Sequence, residues 1–293
     1  MTPRPLLECV VNVSEGRSTA TLERLAEEVS ASLMDLHLDP HHHRSVFTLG
    51  GPAVEEAARA LTSQAVALVD LRTHSGAHPR LGVVDVVPFV PLEGSTPADA
   101  VAARDRFAAW AATTLDLPCF LYGPERPLPE VRRRAWLDLA PDRGPARPHP
   151  TAGAVCVGAR PLLVAYNLWL EDADLALARE LARELRGPAV RALGLDLGGR
   201  AQVSCNLVAP SVVGPDRVYD AVAGRARISR AELVGLVPRA TLEAIPPERW
   251  AQLDLSRDRT IEARLAALPH RVGSPTARDP AGDDDAASGS GQG

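Results

Sequence analysis

The sequence predicts an α/β protein of the α+β kind, in which two βαββαβ-like halves each form a small antiparallel sheet with helices on one face. Strand and helix signals alternate along the first half of the 293 residues. Hydrophobic residues make up 45% of the chain, as in ordinary globular domains. The second half repeats the first in outline: PLLVAYNLWL at 161–170 echoes PLLECVVNVS at 5–14, and each carries an asparagine near its end, Asn167 and Asn12.

The elements of the first half follow from apolar spacing and from turn residues. Leu22, Leu25 and Val29 lie on one face of an amphipathic helix, and a serine and a proline at 95–97 mark the start of another helix. Pro88 interrupts an apolar run and indicates an edge strand or a bulge. The predicted strands are 6–13, 36–39, 45–49, 83–92 and 118–123, and the predicted helices are 19–33, 53–72 and 95–115.

A segment rich in proline and arginine, 124–150, has little periodicity and is predicted to be an extended connection across the surface. Beyond about residue 271 the composition is Gly, Ser, Asp and Pro, which predicts a disordered tail. In the second half the predicted strands are 161–170, 190–197, 201–209 and 231–238, and the predicted helical segments are 172–186, 215–229 and 246–268.

The composition excludes several functional classes. All 32 basic residues are arginine, which excludes a Schiff-base lysine and a P-loop lysine. The formal net charge of −5 does not favour binding to nucleic acid or to a membrane surface. The four cysteines are far apart in apolar runs and are expected to be buried, reduced thiols. The N-terminus lacks a secretory signal pattern, so we expect a cytoplasmic protein.

Five of the eight histidines lie in two places, at 41–43 and in the segment HSGAHPRLG at 74–82. Histidine is well suited to proton transfer near neutral pH, and a loop before a strand places side chains at a sheet edge, where α/β proteins bind ligands. His78 is therefore the first candidate for chemistry. A zinc or iron site built from these histidines is an alternative, although a glycine and a proline disfavour the helix that would align His74 with His78.

Several segments of the chain carry a likeness to a known family. They are LLECVVNVSEGR at 6–17, DP-x-H-x-R-S-V-F-T at 39–48, HSGAHPRLGVVDVVPFVP at 74–91, CFLYG at 119–123 and QVSCNL at 202–207. Together they resemble the glutamate formimidoyltransferase (formiminotransferase) family, and the likeness covers roughly residues 6–240. The cyclodeaminase part to which this transferase is often fused in animals has no counterpart in the sequence, so we expect a monofunctional enzyme.

The resemblance implies a folate-dependent transferase that moves a formimino group from N-formimino-L-glutamate to N5 of tetrahydrofolate, the co-substrate. It implies two ferredoxin-like halves with the ligand crevice between them, here an N-terminal subdomain 1–159 and a C-terminal subdomain 160–270, followed by the tail 271–293. It also implies a homodimer with small-molecule substrates. We expect no nucleic-acid partner, no membrane partner and no metal.

Individual roles follow from the same resemblance. His78 corresponds to the catalytic histidine of the family and is expected to act as general acid and base. Asp39 corresponds to the acidic residue after the second strand and is the second expected catalytic residue, which could orient a histidine or bind an amine, or could merely cap a turn. Arginine forks are suited to the carboxylates of both substrates. The expected substrate-binding residues are Asn12, His43, Arg44 and Arg80. The expected folate-binding residues are Gly144, Pro145, Ala146, Arg147, Pro148, His149, Pro150, Thr151, Ala152 and Gly153.

Departures from the family pattern leave alternatives open. The family usually has an asparagine where this chain has His43, and often an acid where it has His41. The alternatives are a folate-binding or sensing protein without catalysis, a related transfer of a formyl group to or from folate, and a metal-dependent hydrolase built on the histidines. Retention of His78 favours the transferase over the inactive binder.

Overall fold

The computed structural model of the chain describes residues 4–76, 80–172 and 174–269. Two β-sheets, one of six strands and one of four, each pack against helices. This architecture confirms the predicted α/β fold with two halves.

Most of the strands and helices lie close to their predicted positions, with shifts at their ends, but the strand at 155–159 and the helix at 239–243 were not predicted. The predicted helix 19–33 is shorter than expected, because Leu33 already begins a strand. The strands are β1 (Leu7–Val13), β2 (Leu33–Asp39), β3 (Arg44–Gly50), β4 (Val84–Pro91), β5 (Cys119–Tyr122), β6 (Val155–Ala159), β7 (Val164–Leu170), β8 (Val190–Asp196), β9 (Ala201–Leu207) and β10 (Ile228–Val234). The helices are α1 (Thr19–Glu28), α2 (Val54–Leu68), α3 (Pro97–Thr114), α4 (Leu128–Arg134), α5 (Leu175–Leu185), α6 (Pro215–Ala223), α7 (Arg239–Glu243) and α8 (Ile261–Ala267).

The first sheet has the strand order β2-β3-β1-β4-β6-β5. Its first four strands pair antiparallel in the order of a ferredoxin-like unit, and β6 pairs parallel with β4 and β5. The sheet is therefore larger than the small antiparallel sheet predicted. One of its faces packs against the first helices in a core that includes Val11, Phe47, Leu61, Phe89 and Phe107.

Strand β4 corrects the interpretation of Pro88 as a sign of an edge strand. β4 lies inside the sheet, between β1 and β6, and Pro88 pairs with Gly158 of β6. Residues 84–90 are all buried, as is typical of an interior strand with apolar residues on both faces. Burial of the apolar residues 86–90 outweighs the one backbone donor that proline lacks.

The proline- and arginine-rich segment 124–150 is not simply an extended connection, because it contains helix α4. Val131 of α4 is fully buried against Phe120 and Cys156, on the face of the first sheet opposite helices α1, α2 and α3. An ion pair between Arg134 and Glu130, 2.8 Å apart and four residues apart in the chain, supports the helix. The segment therefore covers part of the sheet as well as crossing its surface.

The second sheet has the order β10-β7-β9-β8 and is antiparallel throughout, which is again the ferredoxin-like order. Tyr166, Leu168 and Val203 point to its helical face and pack with Leu181 of α5 and Val222 of α6. The opposite face carries the alternate residues of the same strands. It is this opposite face that contributes to the candidate site.

The two halves join through a small apolar cluster that contains Met34 of β2, Leu236, and Ile261 and Leu265 of α8. Helix α8 follows the second half in sequence yet packs against the first. The predicted helical segment 246–268 consists of two short 3₁₀ turns and α8. The boundary near 160 stays a prediction, and the predicted tail 271–293 lies outside the described residues.

Candidate active site

Four chain segments meet at one edge of the first sheet. They are the end of β1, the β2–β3 turn at 39–43, the segment before β4, and the segment before β6. Ser14 ties two of them together, because its backbone N–H donates to Val83 at 2.7 Å and its hydroxyl donates to Gly82 at 2.8 Å. Gly16 lies so close to the turn that a Cβ atom would come within 2.6 Å of the Asp39 carbonyl oxygen. Three of the family-like sequence segments, 6–17, 39–48 and 74–91, thus meet at this edge.

Asp39 closes the β2–β3 turn through His42. The backbone N–H of His42 donates to Asp39 Oδ1 at 2.9 Å, and the His42 ring contacts Asp39 Oδ2 through Nδ1. Burial by itself raises the pKa of Asp39. The hydrogen bonds from His42 and its charge together outweigh burial and lower the pKa to about 2. Asp39 is therefore a carboxylate at neutral pH, and it orients a histidine rather than supplying a proton.

The low pKa of Asp39 predicts a loss of stability in acid. The folded-state pKa of about 2 lies below the unfolded value of about 3.9. The ionised carboxylate therefore stabilises the fold above about pH 4, and a contribution of about 2 kcal/mol is lost as the pH falls towards 2. Urea denaturation of the wild type and of Asp39→Asn between pH 5 and pH 2.5 measures this. The difference between the two proteins should shrink in acid, and a difference that does not change with pH would contradict the role of Asp39.

His43 connects the β2–β3 turn to the segment before β4. Its φ of 51° lies in the left-handed region, which asparagine tolerates better than most residues; this agrees with the asparagine usual in the family. His43 Nδ1 lies 2.9 Å from the carbonyl oxygen of Ser75, and Nε2 lies 3.1 Å from Glu15 Oε1. Both ring nitrogens face acceptors, so only the protonated ring satisfies both contacts.

His74 stacks on His43, with ring centroids 3.9 Å apart and planes 18° apart. Its Nε2 lies 3.2 Å from the carbonyl oxygen of His43, and its Nδ1 contacts the guanidinium of Arg80. Burial, followed by the positive charges of Arg80 and His43, lowers the pKa of His74 to about 4. His74 is thus a neutral ring at neutral pH, and the Arg80 guanidinium contacts both of its nitrogens. It ties the segment before β4 to the turn.

Glu15 fixes the chain between β1 and α1. Its Oε1 accepts the backbone N–H groups of Gly16, Arg17 and Ser18 at 2.7–2.9 Å, in addition to the ring of His43. Burial raises its pKa, but these hydrogen bonds to the backbone, together with His43, lower it overall. Glu15 therefore holds a loop and a neighbouring side chain at once.

We expect Glu15→Ala to lower the free energy of unfolding by about 1–3 kcal/mol, because it leaves several backbone donors without their acceptor. Glu15→Gln keeps an oxygen acceptor and should cost less than about 1 kcal/mol. Chemical denaturation of both variants measures the difference. Equal losses in the two variants would show that the hydrogen bonds to Glu15 do not decide its contribution.

Three arginines gather around two carboxylates behind the turn. The two predicted substrate-binding arginines, Arg44 and Arg80, lie near Asp85, and Arg132 of α4 donates to Asp85 at 2.5 Å. Burial lowers the pKa of both Arg44 and Arg80, although Asp85 acts in the opposite direction. Arg44 also lies near Asp39. Guanidinium forks are suited to substrates that bring carboxylates of their own.

The predicted folate-binding stretch 144–153 packs against the start of β4. His149 and Gly153 exchange backbone hydrogen bonds of 2.8 and 3.0 Å, and His149 Nδ1 accepts the N–H of Ala152 at 3.0 Å. The backbones are in tight contact, because a Cβ on Gly82 would lie 2.0 Å from the Ala154 carbonyl oxygen. The stretch therefore lies beside the segment that carries the other candidate residues.

His78, the predicted catalytic residue, lies outside the described residues, and its role stays a prediction. The residues on either side of it are placed. A Cβ on Gly76 would lie 2.7 Å from the His42 carbonyl oxygen, and the Arg80 guanidinium lies 3.4 Å from the same oxygen. Asn12, on β1, donates to the Val10 carbonyl oxygen at 3.3 Å.

The second half contributes a wall to the site. The ring of Trp169 at the end of β7 lies 6.3 Å from the ring of His41 in the turn. Glu232 of β10 accepts from Trp169 Nε1 at 3.0 Å and from Asn167 Nδ2 at 3.1 Å, and it lies 3.9 Å from His37 Nε2 of β2. No motif pointed to Glu232. The period-two alternation of β7, which places Asn167 and Trp169 on one face, was the available signal.

Other features limit the chemistry. Within the described ranges, no group of three or more His, Cys, Asp or Glu residues is arranged to hold a metal ion. The four cysteines are buried and unpaired, and burial raises the pKa of Cys119 and Cys205 to about 12. They are therefore poor nucleophiles. No helix in the part of the chain that the structure describes is long and apolar enough to span a membrane.

The comparison with known families decides where this site belongs. Residues 6–160 match the formiminotransferase domain, N-terminal subdomain. The chain belongs to the formiminotransferase family. It is 33% identical to the glutamate formimidoyltransferase of Streptococcus pyogenes serotype M1 over 81% of this chain and 90% of that protein.

Two further relatives show how the similarity extends across the formiminotransferase family. A glutamate formimidoyltransferase of Thermoplasma acidophilum is 29% identical over 81% of this chain and 89% of its own length. The formimidoyltransferase-cyclodeaminase of Rattus norvegicus is 32% identical over 82% of this chain and 51% of its own length. The chain thus spans nearly the whole of the shorter relatives and about half of the fused one.

Proposed function

We propose that the chain is a glutamate formimidoyltransferase, which moves a formimino group from N-formimino-L-glutamate to N5 of tetrahydrofolate. The observation that carries this proposal is the similarity to enzymes of that name over about nine-tenths of their length. The meeting of three family-like segments, 6–17, 39–48 and 74–91, at one sheet edge supports it.

The reaction needs one group that accepts a proton and then returns it. N5 of tetrahydrofolate attacks the formimino carbon, and the N5 proton passes to His78 in our proposal. The bond from that carbon to the glutamate nitrogen then breaks, and the nitrogen takes the proton back from His78. The products are 5-formimino-tetrahydrofolate and L-glutamate. A histidine is suited to both transfers because its protonation changes near neutral pH.

The described residues have supporting roles in this proposal. Arg44 and Arg80 would bind substrate carboxylates through their guanidinium forks. Asp39 would keep the β2–β3 turn in place through His42. Asn12 and His43 would contact the donor, and the stretch 144–153 would bind the folate.

Transfer of a formyl group is the main competing reaction on the same site. The test is to supply N-formimino-L-glutamate and N-formyl-L-glutamate separately, each with tetrahydrofolate, and to follow folate absorbance. We expect transfer with the formimino donor at a kcat/KM at least about tenfold above that with the formyl donor. A preference for the formyl donor would replace the proposed reaction, and saturable folate binding without transfer from either donor would indicate a non-catalytic binder.

We further propose that the protein is a cytoplasmic homodimer. The proposal rests on the family resemblance. Light scattering after size exclusion should give twice the mass of one chain.

A further inference from the structure

The wall that the second half contributes to the site contains an exposed arginine, Arg200. The guanidinium of Arg200, at the start of β9, lies 4.9 Å from the centre of the Trp169 ring. Among the described residues no carboxylate pairs with Arg200. Arg230 also lies over Trp169, at 5.3 Å, but it is neutralised by Glu232 at 3.1 Å. The stacking on Trp169 holds the Arg200 fork in place and leaves its N–H donors for another acceptor.

The indole that carries Arg200 is itself firmly held. Trp169 is only 4% exposed, and its Nε1 donates to Glu232 at 3.0 Å. The wall faces the catalytic edge, since His41 of the β2–β3 turn lies 6.3 Å from the Trp169 ring. A cleft of about 430 Å³ next to it is lined by His37, Arg230 and Glu232, among others. Arg200 does not line this cleft, but it is itself exposed, so a ligand on this face can reach its guanidinium.

A second polar group lies on the same face. Gln202 pairs directly with Trp169 across β9 and β7, so their side chains are neighbours on the side of the sheet away from α5 and α6. Gln202 is fully buried, and neither atom of its side-chain amide has a hydrogen-bond partner in the part of the chain that the structure describes. A buried amide without a partner is costly, and such groups cluster at ligand sites.

We propose that Arg200 and Gln202 form a carboxylate-binding subsite on the second half, which anchors a substrate carboxylate while the first half carries out the chemistry. This inference rests on the proposed function. An arginine fork and an amide N–H together match the donor pattern that a carboxylate accepts. Two substrates bring such a group: N-formimino-L-glutamate and the glutamyl end of tetrahydrofolate. Both are glutamyl carboxylates, so the experiment has to separate them.

The test measures KM for each substrate in wild type, Arg200→Gln and the control Arg191→Gln. Arg191 is an exposed arginine of β8 without an ion pair among the described residues. We expect Arg200→Gln to raise one KM by about tenfold or more and Arg191→Gln to change neither. A raised KM for the formimino donor identifies the donor carboxylate. A raised KM for tetrahydrofolate identifies the folate carboxylate, and a tetrahydropterin that lacks the p-aminobenzoylglutamate should then react equally with both proteins. Unchanged KM values, or equal effects of the two variants, would overturn the proposal.

Gln202→Met keeps the side-chain length and removes the amide. If the amide binds a ligand, this variant raises the same KM as Arg200→Gln. Its Tm then stays the same or rises, because a buried amide without a partner does not stabilise the fold. A lowered Tm with an unchanged KM would assign Gln202 to structure and overturn its part in the subsite. If wild type shows no transfer at all, calorimetric titration of L-glutamate and of tetrahydrofolate into wild type and Arg200→Gln still tests the subsite, and equal affinities would overturn it.

Discussion

Replacing His78 with alanine is expected to lower kcat for formimino transfer by about 10²–10⁴-fold, because one side chain is proposed to take the proton from N5 and return it to the departing nitrogen. Because the substrate carboxylates are proposed to bind to other groups, KM should change by less than about threefold. The measurement is steady-state transfer followed by folate absorbance, with both substrates varied. The dependence of kcat on pH gives a second readout. The variant should lose the change in kcat that protonation of His78 causes.

The matched control for His78→Ala is Thr73→Ala in the same segment. Thr73 is exposed, and its hydroxyl contacts the Asp70 carbonyl oxygen at 3.1 Å. This control should keep the wild-type kcat. If His78→Ala folds normally and keeps more than about a tenth of the wild-type kcat, His78 is not the general acid and base.

The second large effect is expected at Asp39. Asp39→Asn removes the charge that His42 contacts and leaves one acceptor where the carboxylate has two. The turn at 39–43 supports the segment before β4 through His42 and His43. We therefore expect kcat to fall by about ten- to a hundredfold, which corresponds to the loss of one hydrogen bond to a charged group. Asp39 acts through the turn, so it is a positioning residue.

A readout besides rate separates positioning from a general loss of structure in Asp39→Asn. The variant should retain its folate affinity, measured by titration, because the stretch 144–153 packs against the start of β4 and not against Asp39. Asp138→Asn, on an exposed carboxylate after α4, is the control and should leave both quantities unchanged. A normal kcat in Asp39→Asn would contradict the positioning role.

Much of the fold could be predicted from the sequence because the signals were local. Apolar alternation located β1 and β7, and the repeat between them indicated two similar halves. Pro88 and helix α4 could not be predicted in the same way. The position of β4 inside the sheet depends on β6, which pairs with it from about 70 residues away. The helix in 124–150 depends on burial of Val131 against Phe120, a contact that no local pattern contains.

The part of the candidate site that lies in the first half of the chain could be predicted from the sequence, because its residues lie in short contiguous motifs. The turn at 39–43 and the segment before β4 could be expected to meet at a sheet edge, but the stacking of His43 on His74 could not. The wall of the second half combines Trp169, Arg200 and Glu232 from three strands. Only the pairing of those strands brings them together, so single-sequence motifs do not reveal them.

The measurement that tests the central claim most directly is product analysis with the purified chain, N-formimino-L-glutamate and tetrahydrofolate. We predict that L-glutamate and 5-formimino-tetrahydrofolate form in equal amounts, and that neither forms when tetrahydrofolate is left out. Release of L-glutamate without tetrahydrofolate would indicate hydrolysis. No consumption of the donor by folded, folate-binding protein would contradict the proposed transfer.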